Sequence, residues 1–158
     1  MVSVFDIAAS VADPELPVVT IADLGILREA YAEGDTAKVT ITPTYSGCPA
    51  MDTIKSDIAR ALQSSGYLTV DIETVYAPAW TTDWISEEGR RKLAESGIAP
   101  PVEEATHRRL PLLGPPAPEC PQCRSARVSE LSRFGSTVCM SLWRCEDCRE
   151  PFQHVKRH

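Results

Sequence analysis

Long apolar runs are missing from this sequence: none approaches the roughly 20 residues that a bilayer-spanning helix needs, and no membrane association is expected. The opening MVSVFDIAAS lacks both a basic start and a long apolar segment, so no signal peptide is expected. Basic residues are in deficit, 16 against 22 acidic. The resulting net charge of −6 argues against general affinity for nucleic-acid phosphates. Histidine is rarer still: His107, His154 and His158 offer no Ser-His-Asp arrangement, and all three are expected on solvated surface. There is no pair of Glu-x-x-His motifs for a di-iron centre and no Gly-x-Gly-x-x-Gly for a flavin or nicotinamide. The chain is therefore expected to be cytoplasmic, where thiols stay reduced and paired cysteines more often bind metal than form disulfides.

What is present is patterned. Val4, Ile7, Ala8 and Val11 recur three and four apart, predicting a helix capped by Ser3 and Asp6 and stopped at Asp13-Pro14. Ile26 to Thr44 predicts two strands around Glu33-Gly34-Asp35, with Val39 and Ile41 inward and Lys38, Thr40 and Thr42 outward. Met51, Ile54, Ile58 and Leu62 mark a second helix ending at Gly66, and Val70 and Ile72 the inner face of another strand. A short helix follows, with Ser86 as cap and Gly97 as stop. This order predicts an α+β domain over residues 1–99, a small mixed sheet with helices packed on one face.

Composition then changes. Seven of the 13 prolines fall between Pro100 and Pro121, so residues 100–117 are expected to be an extended linker. Residues 118–158 form a third segment. Charge divides the same way: −8 over residues 1–100 and +2 over 118–158.

Four of the six cysteines stand as two Cys-x-x-Cys pairs, Cys120 and Cys123, then Cys145 and Cys148. Two such knuckles bring four thiolates to one tetrahedral site. The residues between have room for a β-hairpin turning near Phe134-Gly135-Ser136, the layout of a zinc ribbon. Zinc is the expected structural occupant, with iron the alternative that the same thiolates accept. Cys139 is expected on the second strand as a small semi-buried hydrophobe. Trp143 and Phe152 are expected to pack the hairpin rather than stack on bases, and a protein contact is expected for the ribbon rather than nucleic acid.

Cys48 stands apart. Gly47 turns the loop before it and Pro49 suits a first helical position, placing Cys48 at a helix cap where free amides and the helix dipole favour a thiolate. Buried packing is the competing reading. The acidic loops carrying Asp13 and Glu15, and Asp23 beside Gly25, read equally as turn chemistry. Converging on Cys48, they would make a mixed, labile site for transient iron.

DPELPVVTIADLGIL, a hairpin, and TPTYSGCPAMDTI together resemble the small domain of SufT-like and cytosolic iron–sulfur assembly proteins. YAPAWTTDWISEEGRRKL and the ribbon CPQC…CEDCREPF are similar to one branch of it, the PaaD family associated with the bacterial phenylacetyl-CoA ring epoxidase. The resemblance carries Asp13, Pro14, Glu15, Asp23, Gly25, Thr44, Gly47 and Cys48 as motif residues. It departs from the branch at Ala12, where proline is expected. Trp80 and Trp84 are either partner anchors or a cover for the sheet edge.

The resemblance implies an accessory or maturation protein in aerobic phenylacetate degradation that helps assemble the epoxidase's iron–sulfur or di-iron centre. Cys48 would be its reactive thiol, aided by Asp13, Glu15 or Asp23. Its partners would be other epoxidase subunits or iron–sulfur assembly proteins, and free sheet edges leave room for a homodimer. A structural subunit with inert Cys48 is the second reading. A thiol-dependent redox enzyme is the third, lacking a base beside the thiol; the chain is not expected to insert oxygen by itself.

Overall fold

A computed structural model of the chain describes residues 2–102 and 116–158. His107 and the linker prolines Pro111 and Pro115 lie outside the described residues. Two compact units emerge, Met1–Gly89 with His158, and Arg90–Arg157. The division falls ahead of the change in composition at residue 100.

In the first unit, α1 (Val4–Ala9) opens with a reciprocal capping box. Ser3 Oγ accepts the Asp6 amide, and the Asp6 carboxylate accepts the Ser3 amide, each at 3.1 Å. The helix stops at Ala9 rather than at Asp13: the Ser10 and Val11 amides still reach back to Ile7 and Ala8 in a tightened last turn, and beyond them the chain bonds across a loop. Asp13 N–H donates to the Val19 carbonyl at 3.0 Å and Ile21 N–H to the Val11 carbonyl at 2.9 Å.

β1 (Leu27–Glu33) and β2 (Thr36–Ile41) form the expected antiparallel hairpin, turning at Gly34 with φ +61°. Ala37, Val39 and Ile41 are buried while the residues between them are half-buried. α2 (Ala50–Ser64) turns Met51, Ile54, Ile58 and Leu62 inward. The chain then returns as β3 (Thr69–Thr74), parallel to β2, giving a mixed sheet of order β1-β2-β3. Two parallel strands need a crossover of helical length, and α2 supplies it. α3 (Glu87–Glu95) follows a 3-10 turn at Thr82–Trp84, and Ser86 Oγ accepts the Gly89 amide at 2.9 Å as its cap.

The second unit holds a four-stranded sheet. β4 (Ile98–Ala99) lies parallel to β7 (Pro151–Val155), which pairs antiparallel with β6 (Met140–Cys145), itself antiparallel to β5 (Val128–Ser132). The expected hairpin is β5–β6. The tail, expected to be solvated, is instead an interior strand of the sheet. Phe152 and His154, two apart and so on one face, are 4% and 8% exposed. His158 is exposed, as expected. Ala99, Cys120, Cys145 and Phe152 form the core, with Val128 and Trp143 packed against it. Among the described residues no helix is long and apolar enough to cross a membrane.

Candidate metal centre and the Cys48 loop

The four ribbon cysteines converge. Their Sγ atoms all lie within 4.8 Å of one another. Cys120 and Cys148 stand 3.7 Å apart, Cys123 and Cys145 3.5 Å, and none is disulfide-bonded. A tetrahedron of zinc–sulfur bonds of about 2.3 Å sets sulfurs about 3.8 Å apart. The two measured pairs are therefore close to the separation a tetrahedral metal requires, and the donor set is the all-thiolate one that zinc or iron accepts.

Sequence symmetry becomes structural symmetry here. The residue after each Cys-x-x-Cys, Arg124 and Arg149, has a left-handed backbone with φ of 61° and 67°. That turn lets Cys120 N–H reach the Ser125 carbonyl at 2.9 Å and Cys145 N–H the Glu150 carbonyl at 3.0 Å. One cysteine of each knuckle, Cys120 and Cys145, is buried; Cys123 and Cys148 are exposed. The site thus sits between core and solvent.

Amides aimed at sulfur shape its charge. The Cys148 amide, with the Asp147 amide and against the effect of burial, brings the Cys145 thiol down to about 7. The Glu150 amide acts likewise on Cys148, yet burial and the three neighbouring thiols push that group up to about 12. Four thiols so close cannot all ionise alone; a divalent metal displaces their protons. Cys139 lies outside the cluster, just ahead of β6, half-buried with Sγ 3.0 Å from Thr137 Oγ1.

In the other unit Cys48 is half-buried in the loop from β2 to α2. Its amide donates to the Tyr45 carbonyl and its carbonyl accepts the Met51 amide, each at 3.3 Å. Gly47 has φ +80°. The cap position belongs to Pro49, one residue later than expected, because Pro49 has not yet entered the helical ladder. Pro49 offers no side-chain oxygen to cap α2.

The three acidic residues have local duties. Asp13 is 6% exposed, and its Oδ1 accepts the Glu15 and Leu16 amides at 2.9 and 2.8 Å. Burial still raises its carboxyl above the ordinary range. Glu15 is raised too, by burial and then by the charge of Asp13. Asp23 Oδ2 accepts the Thr20 amide at 3.0 Å, Thr20 Oγ1 accepts the Asp23 amide at 3.1 Å, and Asp23 Oδ1 takes a 3.5 Å contact from Ser86 Oγ. Among the described residues the only group of three or more metal-ligating side chains is the four ribbon cysteines; Cys48, Asp13, Glu15 and Asp23 do not form one.

Two residues that sequence reasoning passed over, Thr20 and Gly89, hold these loops together with Gly25, Trp80 and Trp84, which it named. Thr20-x-x-Asp23 is a capping-box pattern visible in the sequence. Gly25, with φ +71°, would put a Cβ 2.7 Å from Trp84 Cβ and 2.8 Å from the Trp84 carbonyl oxygen, so only glycine fits. Gly89 is similarly pressed on the Asp23 carbonyl. Trp80 is buried and its indole N–H donates to the Leu24 carbonyl at 2.8 Å, which makes it an internal brace. Trp84 is half-buried beneath the Arg28 guanidinium, 3.9 Å from the ring centroid.

Comparison with known proteins follows the same division. Residues 3–73 match the iron–sulfur cluster assembly protein family, and residues 105–156 the PaaD zinc beta ribbon domain. A putative 1,2-phenylacetyl-CoA epoxidase subunit of Escherichia coli is 40% identical over 97% of this chain and 90% of its own. An Fe-S protein maturation auxiliary factor of Porphyromonas gingivalis is 36% identical over 53% of this chain and 81% of its own. A solved domain of unknown function from Bacillus anthracis, DUF59, matches with a TM-score of 0.53 at 28% identity, covering 57% of this chain and 87% of that one. An assembly-type α+β unit and a four-cysteine ribbon in one chain, matched end to end at this identity, place the protein in the PaaD family, to which that epoxidase subunit belongs.

Proposed function

We propose that this protein is an accessory component of a phenylacetyl-CoA epoxidase system that assists assembly of an iron–sulfur or di-iron centre in a partner subunit. The observation that carries the reading is the likeness to an epoxidase subunit running through both units, one of which is also similar to an Fe-S protein maturation factor. The division of labour follows from the thiols. Cys120, Cys123, Cys145 and Cys148 would hold zinc as a closed structural site, in which four protein ligands leave no open position for chemistry. Cys48 lies outside that cluster, half-buried in the loop that leads into α2. It would receive and pass on iron as cargo, with epoxidase subunits or iron–sulfur assembly proteins as partners in the cytoplasm.

A second reading has an observation of its own. The carboxylates of Asp13 and Asp23 are spent on neighbouring amides and do not group with Cys48. That favours a stoichiometric structural subunit in which Cys48 packs.

Epoxidase maturation in cells carrying Cys48→Ala separates the two. The assembly reading expects an epoxidase depleted of iron with normal amounts of this protein; full iron loading and activity would leave the structural reading standing.

A further inference from the structure

We infer that Glu146 and Asp147, the two residues inside the second knuckle, form with Ser125, Arg127 and Ser129 a clasp that ties the knuckles together and sets how slowly the metal leaves. The inference rests on the four cysteines holding a metal. Asp147 lies between two ligands, Cys145 and Cys148, and both its carboxylate oxygens reach across to the strand leaving the first knuckle. Oδ1 accepts from Arg127 Nη1 at 2.6 Å and Oδ2 from Ser125 Oγ. Glu146 does the same one residue earlier: its Oε1 accepts from Ser129 Oγ at 2.6 Å, and its amide donates to the Arg127 carbonyl at 2.8 Å. Ser125 Oγ also accepts the Arg127 amide at 3.0 Å, fixing the strand that supplies these donors.

Four contacts thus join residues 146–147 to residues 125–129, and each lies within a few residues of a cysteine. A single exposed ion pair holds little. This set differs because its members share atoms and strands, and because Asp147 is the residue directly before one ligand, Cys148, and two after another, Cys145. Moving Asp147 therefore moves the peptide that joins two ligands. Release of the metal requires the knuckles to part, and the clasp opposes that parting. Outer partners of metal ligands commonly change affinity by about 10-fold to 100-fold.

The test is zinc release from the full-length, zinc-loaded chain into excess chromophoric chelator. Asp147→Asn and Arg127→Gln are each expected to release zinc about tenfold faster. The double variant is expected to be no faster than Asp147→Asn alone, since the two act through one clasp. Asp147→Glu is expected to restore slow release. Added salt should speed release from the wild type and leave Asp147→Asn nearly unaffected. Arg133→Gln, in an exposed pair with Glu130 elsewhere on the hairpin, is the control expected to change nothing. Unchanged rates in Asp147→Asn and Arg127→Gln, or effects that multiply, overturn the clasp while leaving the metal site intact. A wild-type chain that takes up no metal overturns the four-cysteine reading and the clasp with it. Should Asp147→Asn not fold, Arg127→Gln and Ser125→Ala test the same contacts from the other knuckle.

Discussion

The two units stabilise themselves by different means. In the first, Ile21, Ile26, Ile41, Ile54, Ile58 and Leu62 are each 2% exposed or less, and the interior is mostly hydrocarbon. In the second, two of the four residues in the core cluster are cysteines of the metal site. A segment of about 40 residues is near the limit below which apolar burial fails to offset chain entropy without a metal or disulfides. The ribbon has placed two of its four ligands, Cys120 and Cys145, where the other unit places leucine and isoleucine. Occupancy of the site is thus expected to decide folding in one unit and to leave the interior of the other unchanged.

The strongest way to break this contrast is to remove the metal. Cys145→Ser, or a strong chelator on the wild type, is expected to abolish slow amide exchange in β5, β6 and β7 while the amides of α2 and β2 stay protected. Structural zinc supplies roughly 10–16 kcal/mol of apparent binding free energy in small finger peptides, more than such a unit can lose. Exchange measured by NMR in both states checks it; loss of protection in α2 as well would erase the distinction between the units.

The converse change has a smaller effect. Ile58→Ala, at a fully buried position on α2, is expected to cost about 3 kcal/mol from lost burial and the cavity left behind. Zinc content should be unchanged. Denaturant unfolding followed separately in each unit reads both, and a zinc-depleted Ile58→Ala protein would contradict the contrast.

Legibility in the sequence divides along the same line. The hairpin β1–β2, helix α2 and strand β3 were readable because their apolar periods are local: Val39 with Ile41, and Met51 with Ile54, Ile58 and Leu62. The Cys-x-x-Cys spacing likewise announced its cluster. The pairing of β4 with β7 was not readable, since two residues at 98–99 carry no period and their partner lies more than 50 positions away. The end of α1 was missed because proline at 14 is a visible stop, whereas the loop bonds of Asp13 and Ile21 are not visible. The placing of Cys48 one position off the cap turned on Pro49 alone. His154 was legible after all: Phe152 and His154 obey the period of two, but polar neighbours in PFQHVKRH masked it.

That histidine supplies the subtlest comparison, because it puts an ionisable group inside the metal-held unit. The imidazole is 8% exposed, meets Trp143 edge-on at 6.2 Å, and its Nε2 has no hydrogen-bond partner among the described residues. Burial pushes it down to about 4 from an ordinary value of 6.5. The folded state therefore binds the proton less readily than the unfolded state, so stability rises with pH and the imidazole's contribution is lost as pH falls from about 6.5 toward 4. Between pH 8 and pH 5 the loss from this group alone is about 2 kcal/mol. Protonation of the thiol ligands weakens the ribbon over an overlapping range, so the two must be separated. His154→Phe removes the first and leaves the second, and its ribbon is expected to lose less stability on acidification than the wild type by about that amount. In the wild type, the imidazole proton shifts of His154 should show no midpoint near 6.5 while the ribbon remains folded. A His154 that titrates there with the ribbon intact would mean that water reaches the ring and that this interior is less closed than its neighbours Phe152 and Val155 imply.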